Sequence, residues 1–447
     1  MRILSITAGA AGMYCGSCAR DNALALELLS RGHEVTLLPL YTPTTTDEQN
    51  VSSRRVLFGG ISVYLQQYVS LFRWTPRFID RLLDAPGVIK VFADRSISTD
   101  PRLLGDLMVS MLQGRQGVLR KEFDKLLAWL DAEPVPDVVT LPNALLIGLA
   151  EPLRERLKRP VFCTLQGEDL FLDGLIEPYR RQTLELIRGH VRHVERFLAV
   201  SDYYVPVMAN LLGIARERIA VVPIGINMAG YEPRDARGDD EFRVGYFARV
   251  APEKGLHLLA EAYCLFRQRT ASSPARLMSA GYLGGAYRSY LQKIRERLER
   301  AGLGGEFTYL GAVDRAGKLS FMRSIDMLSV PATYDEPKGF FLLEAMASAV
   351  PVVQPRRGAF TEIVDRTGGG LLVPPDSASA LADGLYELWR KQPLRERLGR
   401  EGFDGVRANY TIQRSADRLL EACGGTAPGA SNAPSADDPA TIGAVRA

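Results

Sequence analysis

The densest chemistry in the chain lies in Asp335-Glu336-Pro337-Lys338-Gly339-Phe340-Phe341-Leu342-Leu343-Glu344-Ala345-Met346-Ala347. Glu336 and Glu344 stand eight positions apart across a loop that becomes a helix. Pro337 restricts Glu336 to extended backbone. Gly339 lets the chain turn, and unpaired N–H groups at Gly339, Phe340 and Phe341 open the helix. Together with the helix dipole they suit phosphate or sugar oxygens. Glu344 falls in the first turns facing the same mouth, where a carboxylate accepts two hydrogen bonds from a diol such as ribose. A second segment, Phe247-Ala248-Arg249-Val250-Ala251-Pro252-Glu253-Lys254-Gly255, sets two cations at the end of a strand. Arg249 and Lys254 there would neutralise a diphosphate and the charge that grows on it as it leaves. Each segment alone is ordinary, since glutamates suit helix N-termini and Arg and Lys suit surfaces. The conjunction carries the argument.

The surrounding pattern supplies elements to position these groups. Arg2–Thr7 is a β-rich run, Ala8–Ser17 a Gly-rich loop, and Cys18–Ser30 carries Leu24, Leu26, Leu28 and Leu29 near helical spacing, ended by Gly32. Val35–Leu40 is a continuous apolar strand, so the start is a βαβ unit of a parallel sheet. Further strands are expected at Val138–Leu141, Val161–Leu165, Phe197–Val200 and Ile219–Val222. Tyr231 to Glu241, with Pro233 and Gly238, reads as an interdomain linker. Beyond it, strands at Arg243–Phe247, Arg276–Ala280, Phe307–Leu310, Met327–Val330 and Pro351–Gln354 alternate with helices near Leu256–Arg269, Tyr287–Arg300, Lys318–Ser324 and Phe340–Ala347. The expectation is two doubly wound α/β domains whose strand C-termini face across a cleft.

Length fits two domains, at 447 residues. The balance of 55 Lys and Arg against 52 Asp and Glu gives no sign of a nucleic-acid partner. No signal-peptide pattern or membrane-length apolar run is evident, and five cysteines do not make a disulfide framework, so a reduced cytoplasmic setting is expected. Residues 54–125 exceed any ordinary connection and hold 12 Lys and Arg against 7 Asp and Glu, interleaved with Phe58, Tyr64, Tyr68, Phe72, Trp74, Phe78 and Phe92. The favoured reading is a helical insertion with its own small core. The other is an acceptor-side lid touching the inner membrane face or an anionic acceptor. After Cys423 the composition is that of a disordered tail.

The two site segments resemble the retaining glycosyltransferases of family 4, which have the GT-B fold. Glu336 and Glu344 match that family's two-glutamate motif, and Arg249 and Lys254 its phosphate-binding pair. Gly16 before a helix, Gly32-His33-Glu34-Val35, Val200-Ser201-Asp202, Val222-Pro223-Ile224-Gly225-Ile226-Asn227 and Ala349-Val350-Pro351-Val352-Val353 match its other landmarks. The resemblance is strongest across about Phe242 to Leu385. It implies a nucleotide-sugar donor and no metal or other cofactor. The donor would be held by Gly16, Arg249, Lys254, Gly339, Phe340, Phe341 and Glu344, with Glu336, Arg249 and Lys254 acting in catalysis. Glu336 would contact the sugar, Glu344 the ribose, and Arg249 and Lys254 the diphosphate; retention would follow from front-face attack assisted by the leaving phosphate. The implied acceptor is a glycan, lipid or small molecule. The implied architecture is an acceptor-side domain at 1–225, linker 226–241, donor domain 242–405, a helix at 406–423 crossing back to the first domain, and the tail 424–447. Departures from the family are Ala248 for Gly, Gln166 where a His is common, Ile224 and Asn227 in the linker motif, and Lys338 at an apolar position. Gln166 can bond a sugar but cannot carry a proton.

Other signals are weaker. Cys15-Gly16-Ser17-Cys18 superficially resembles a thioredoxin-type dithiol, but it reads better as a tight small-residue loop approaching a ligand. His33 reads as structural, and no Asp-x-Asp, P-loop or G-x-G-x-x-G spacing occurs. An epimerase or phosphorylase on the same scaffold, or a non-catalytic nucleotide-sugar-binding or redox-sensing protein using Cys15 and Cys18, are the alternatives.

Overall fold

A computed structural model describes residues 1–9, 15–53, 55–58, 63, 66–67, 104–233 and 241–424. Among them, strands β1 (Arg2–Thr7), β2 (Glu34–Pro39), β3 (Val138–Leu141), β4 (Val161–Leu165), β5 (Arg196–Ala199) and β6 (Ile219–Val221) form one sheet in the order β2-β1-β3-β4-β5-β6. A second sheet holds β7 (Phe242–Phe247), β8 (Ala275–Ala280), β9 (Phe307–Tyr309), β10 (Met327–Leu328), β11 (Val352–Pro355) and β12 (Gly370–Val373), ordered β12-β11-β10-β7-β8-β9. Every strand pairing in both is parallel. Parallel strands need crossovers, and helices cover both faces, which is why β3 and β4 are buried at every position. These are two Rossmann-like domains of the GT-B kind.

Strand order reverses between β1 and β3 in the first sheet and between β7 and β10 in the second. At such a reversal the connections leave toward opposite faces, so a crevice opens past the strand C-termini. The segments carrying Gly16, Arg249 and Glu336 follow β1, β7 and β10 and therefore sit at the two crevices.

Several elements differ from expectation. The sequence reading passed over β12, an edge strand entered through Gly368-Gly369-Gly370 and only partly buried. The helix Gln392–Asn409 runs through residue 405, so the chain leaves the second domain at Tyr410–Thr411 instead. Close packing explains its length: a Cβ on Gly399 would lie 2.3 Å from Ala349 O, and one on Gly405 2.5 Å from Thr367 Cα. The following helix, Ile412–Ala422, lies on the first domain, where Ile412, Ala416, Leu419 and Leu420 pack with Ile3, Leu24, Leu28 and Phe162.

The insertion does not form a core of its own where it is described. Phe58, Met111, Leu112, Leu119, Phe123 and Leu126 are fully buried within the main core, with Phe58 edge-on to Phe123 at 5.2 Å. Tyr64, Tyr68, Phe72, Trp74, Phe78 and Phe92 lie outside the described residues, as do 234–240 of the linker and 425–447 of the tail. Among the described residues no helix is long and apolar enough to cross a membrane.

Gly281 ends β8 beside the Arg249 segment with φ +141°, and an added Cβ would fall 1.9 Å from Ala248 O. Gly281→Ala is expected to lower unfolding free energy by at least about 2 kcal/mol, combining backbone strain and overlap. Gly305, with no atom within 4 Å of a Cβ, is the control and should change stability by less than about 0.5 kcal/mol on substitution by Ala. Chemical denaturation of both variants measures this, and equal losses would contradict the packing argument.

Candidate active site

The loop after β10 brings Glu336 into the second crevice at 3% exposure. Its carboxylate accepts from both Lys254 Nζ and Tyr334 Oη, and Lys254 donates to Tyr334 Oη at 2.7 Å. The Lys254 ammonium also lies 5.0 Å from the Tyr334 ring centre and 5.8 Å from that of Phe341. Burial pushes the Glu336 pKa up, but the Lys254 and Lys338 charges outweigh it, aided by hydrogen bonds from Lys254 and Tyr334. The net is a pKa below the ordinary carboxylate value. The group is an anion at neutral pH, held ready to face positive charge.

Arg249 is partly exposed and bonds Glu253 at 2.5 Å, one helical turn along the same segment. It is thus tethered at the rim, while Lys254 is drawn inward by Glu336. Gly339, at φ +87°, caps the helix Phe340–Met346 and allows the sharp turn from loop to helix. Phe341 packs edge-on against Phe360, which fixes the helix on the domain.

Glu344 lies on the helix that Gly339 opens. It is 7% exposed and accepts from Lys318 Nζ at 2.7 Å and Tyr231 Oη at 3.4 Å. Lys318 also bonds Asp47 of the first domain at 2.5 Å. One Glu344 oxygen is therefore committed to a cross-domain cluster, leaving the other for a ligand.

The first domain meets this site directly. Lys338 Nζ donates to Ser17 Oγ at 3.2 Å, and Ser201 Oγ donates to Pro337 O at 3.0 Å. A Cβ on Gly16 would lie 3.7 Å from Phe340, and one on Gly167 3.3 Å from Pro337. Gln166 is buried, donates from Nε2 to Pro142 O at 2.5 Å, and leaves Oε1 without a hydrogen bond.

Sequence reasoning missed the residues that hold this wall. Glu168, 2% exposed, accepts from the N–H groups of Ala144, Gln166 and Gly167, and Tyr204 Oη bridges it to Asp169. Burial raises the Glu168 pKa against those hydrogen bonds. Tyr334, Lys318 and Asp47 were missed too. Only Tyr334, two residues before Glu336, was within reach of local inspection. Of groups that could hold a metal ion among the described residues, one exists, Glu151 on the helix Ala150–Leu157 with His190, which ends the helix Tyr179–His190, and His193 on the short 3-10 turn after it; none of the three belongs to the site segments.

Residues 232–404 match the family described as glycosyl transferases group 1, and residues 18–225 match the glycosyl transferase 4-like domain. Together the two matches span most of the chain, so both halves carry the pattern of glycosyltransferase families. It is 40% identical over 111 residues to the phosphatidyl-myo-inositol mannosyltransferase of Mycobacterium leprae, covering 25% of this chain and 30% of that one. It is 29% identical over 258 residues to the D-inositol 3-phosphate glycosyltransferase of Nocardia farcinica, covering 55% of each. The matched parts thus span less than two thirds of these relatives. Among solved structures, sucrose-phosphate synthase of Thermosynechococcus elongatus shares the fold with a TM-score of 0.68 at 16% identity, over 94% of this chain and 97% of that one.

Because the Glu336 pKa is lower folded than unfolded, its contribution to stability is present above the ordinary carboxylate value and lost as pH falls through the folded value. The stability gap between wild type and Glu336→Gln should therefore be widest near neutrality and shrink in acid. Denaturant melts across pH measure it, and a gap independent of pH would refute the ion pair. Lys254→Ala, which leaves the buried carboxylate unpaired by its cation, should cost about 3 kcal/mol or more at neutral pH.

Proposed function

We propose that the chain is a retaining, metal-independent glycosyltransferase that takes a nucleotide sugar and passes the sugar to a glycan, lipid or small-molecule acceptor. The observation that carries this reading is the Lys254–Glu336 pair at the strand reversal of the second sheet, opposite the first helix of the first domain. Lys254 and Arg249 supply positive charge for the departing diphosphate, so no metal is needed to stabilise it. Glu336, ionised and desolvated, stabilises positive charge developing on the sugar as the bond breaks. The outer Glu344 oxygen accepts from the ribose, and Gln166 Oε1 accepts from a sugar or acceptor hydroxyl. Both relatives compared above carry inositol in the names of their activities, which favours a polyol-bearing acceptor. We place the reaction in the cytoplasm, with the basic 54–125 segment as the part suited to a membrane surface.

UDP, GDP, ADP and TDP, each with and without EDTA, should be screened for a rise in melting temperature. One nucleotide is expected to stabilise the fold by about 2.7 kcal/mol at a hundred times its Kd, unchanged by EDTA and lost in Arg249→Ala. An EDTA-sensitive shift would overturn metal independence. With the matching sugar donor, Glu336→Ala and Arg249→Ala should each reduce the rate at least about a hundredfold. NMR should show the donor's anomeric configuration kept in the product. Full activity in either variant would sink the site assignment, and an inverted product the mechanism.

A further inference from the structure

Cys15 and Cys18 occupy the first turn of the Gly16–Ser30 helix, with Cys15 as its N-cap. Lys338 reaches this turn, its Nζ donating to Ser17 Oγ at 3.2 Å, and the electrostatics of Cys15 are set by Cys18, the Ser17 and Cys18 N–H groups and the Lys338 charge. Cys15 is partly exposed and Cys18 is buried. Cys18 faces the Thr7 hydroxyl at the end of β1 and, three residues on along its own helix, the Asp21 carboxyl. Thr7 Oγ1, Asp21 Oδ2 and Arg20 Nη2 are all buried without a hydrogen bond of ordinary geometry. A cavity of about 20 Å³, lined in part by Ser5, Arg20, Asp21, Thr140 and Thr164, adjoins them and is large enough for one water. Asp21 Oδ1 pairs with Arg20 Nη1 at 3.2 Å, which leaves Oδ2 as the carboxyl oxygen open to a proton from Cys18.

We propose that Cys15 and Cys18 are a redox modification site, closing reversibly to a disulfide through exchange with a small-molecule disulfide, with Asp21 as the proton acceptor. The Cys15 thiolate attacks the external disulfide and expels one thiolate, leaving a mixed disulfide on Cys15. Cys18 passes its proton to Asp21 and attacks the Cys15 sulfur, expelling the second thiolate, which takes up that proton. Two protein thiols are oxidised and one disulfide is reduced to two thiols. The residue spacing suits closure, because residues three apart in a helical turn lie within the Cα separation a disulfide spans. The environment assigns the roles. The Cys18 contact, the helix N–H groups and Lys338 pull the Cys15 thiol well below its ordinary pKa, whereas Cys18 is pushed well above its own. Burial raises the Asp21 carboxyl to about 6, against the pull of Arg20. That makes it a stronger base than an exposed aspartate.

Closure has a consequence for the donor, which rests on the function proposed above. In the reduced protein the Cys15 thiolate occupies the positive potential of Lys338 and the helix N-terminus. A donor diphosphate approaching Gly16 needs the same potential. The disulfide is neutral and releases it, so the oxidised form binds nucleotide diphosphate more tightly. By reciprocity, nucleotide makes the disulfide harder to reduce.

The test equilibrates the full chain in glutathione buffers of graded oxidation, alkylates the remaining thiols and maps them by peptide mass. Cys15 and Cys18 are expected to lose alkylation together, joined to each other, in one two-electron transition distinct from Cys163, Cys264 and Cys423. Persistent alkylation in the most oxidised buffer, or pairing with another cysteine, would overturn the site. Cys18→Ser should accumulate glutathione on Cys15, and Asp21→Asn should accumulate it transiently; absence in the first refutes Cys15 as the attacking thiol, and in the second refutes Asp21. Calorimetry with the nucleotide from the screen should give a Kd about fivefold or more lower for the oxidised protein. An equal or higher Kd would refute the coupling. Disulfide closure with no nucleotide bound in either state would instead count against the donor reading and leave the dithiol standing.

Discussion

A carboxylate as deeply buried as Glu336 is tolerable only with a cation on it, and that requirement orders the second domain. Lys254 must arrive from the segment after β7 and Glu336 from the loop after β10, two strands adjacent in the sheet but more than eighty residues apart in the chain. The parallel topology makes them neighbours, because both strands end on the same edge. Remove the pair and a desolvated charge remains at the base of the crevice, with a cost far above that of any surface contact around it. The aromatic faces of Tyr334 and Phe341 limit water at the pair and keep the electrostatics strong.

The same loop also joins the domains. Pro337 and Lys338 reach Ser201 and Ser17, and on the far side Arg315 and Lys318 reach Glu48 and Asp47. These contacts are polar, unlike the apolar interiors on either side. Polar contacts exchange with water at little net loss, so the site is bounded by an interface suited to opening. The residues that hold the halves together thus lie beside those that would touch the donor.

Much of the fold was legible in the sequence where burial was complete. β1, β3 and β4 and the helix Leu256–Arg269 begin and end where continuous apolar runs or helical spacing begin and end. β12 escaped notice because an edge strand with three leading glycines has no such run. In the site, Glu336, Glu344, Arg249 and Lys254 were visible because their spacing and context match a family pattern. Their partners were not. Lys318 reaches Glu344 across 26 positions, and Asp47 comes from the other domain. Such pairings are created by topology, and no local pattern encodes them.

The helix Ile412–Ala422 completes the apolar face of the first domain against Ile3, Leu24, Leu28, Val138, Phe162, Leu198 and Val222. That places the last described helix of the chain over residues made up to about four hundred positions before it. During synthesis the first domain emerges with this face bare, and it stays bare while the whole of the second domain is made. The two halves therefore cannot mature as independent beads on a string: the earlier one waits, partly sticky, for a cover encoded beyond the whole of the second.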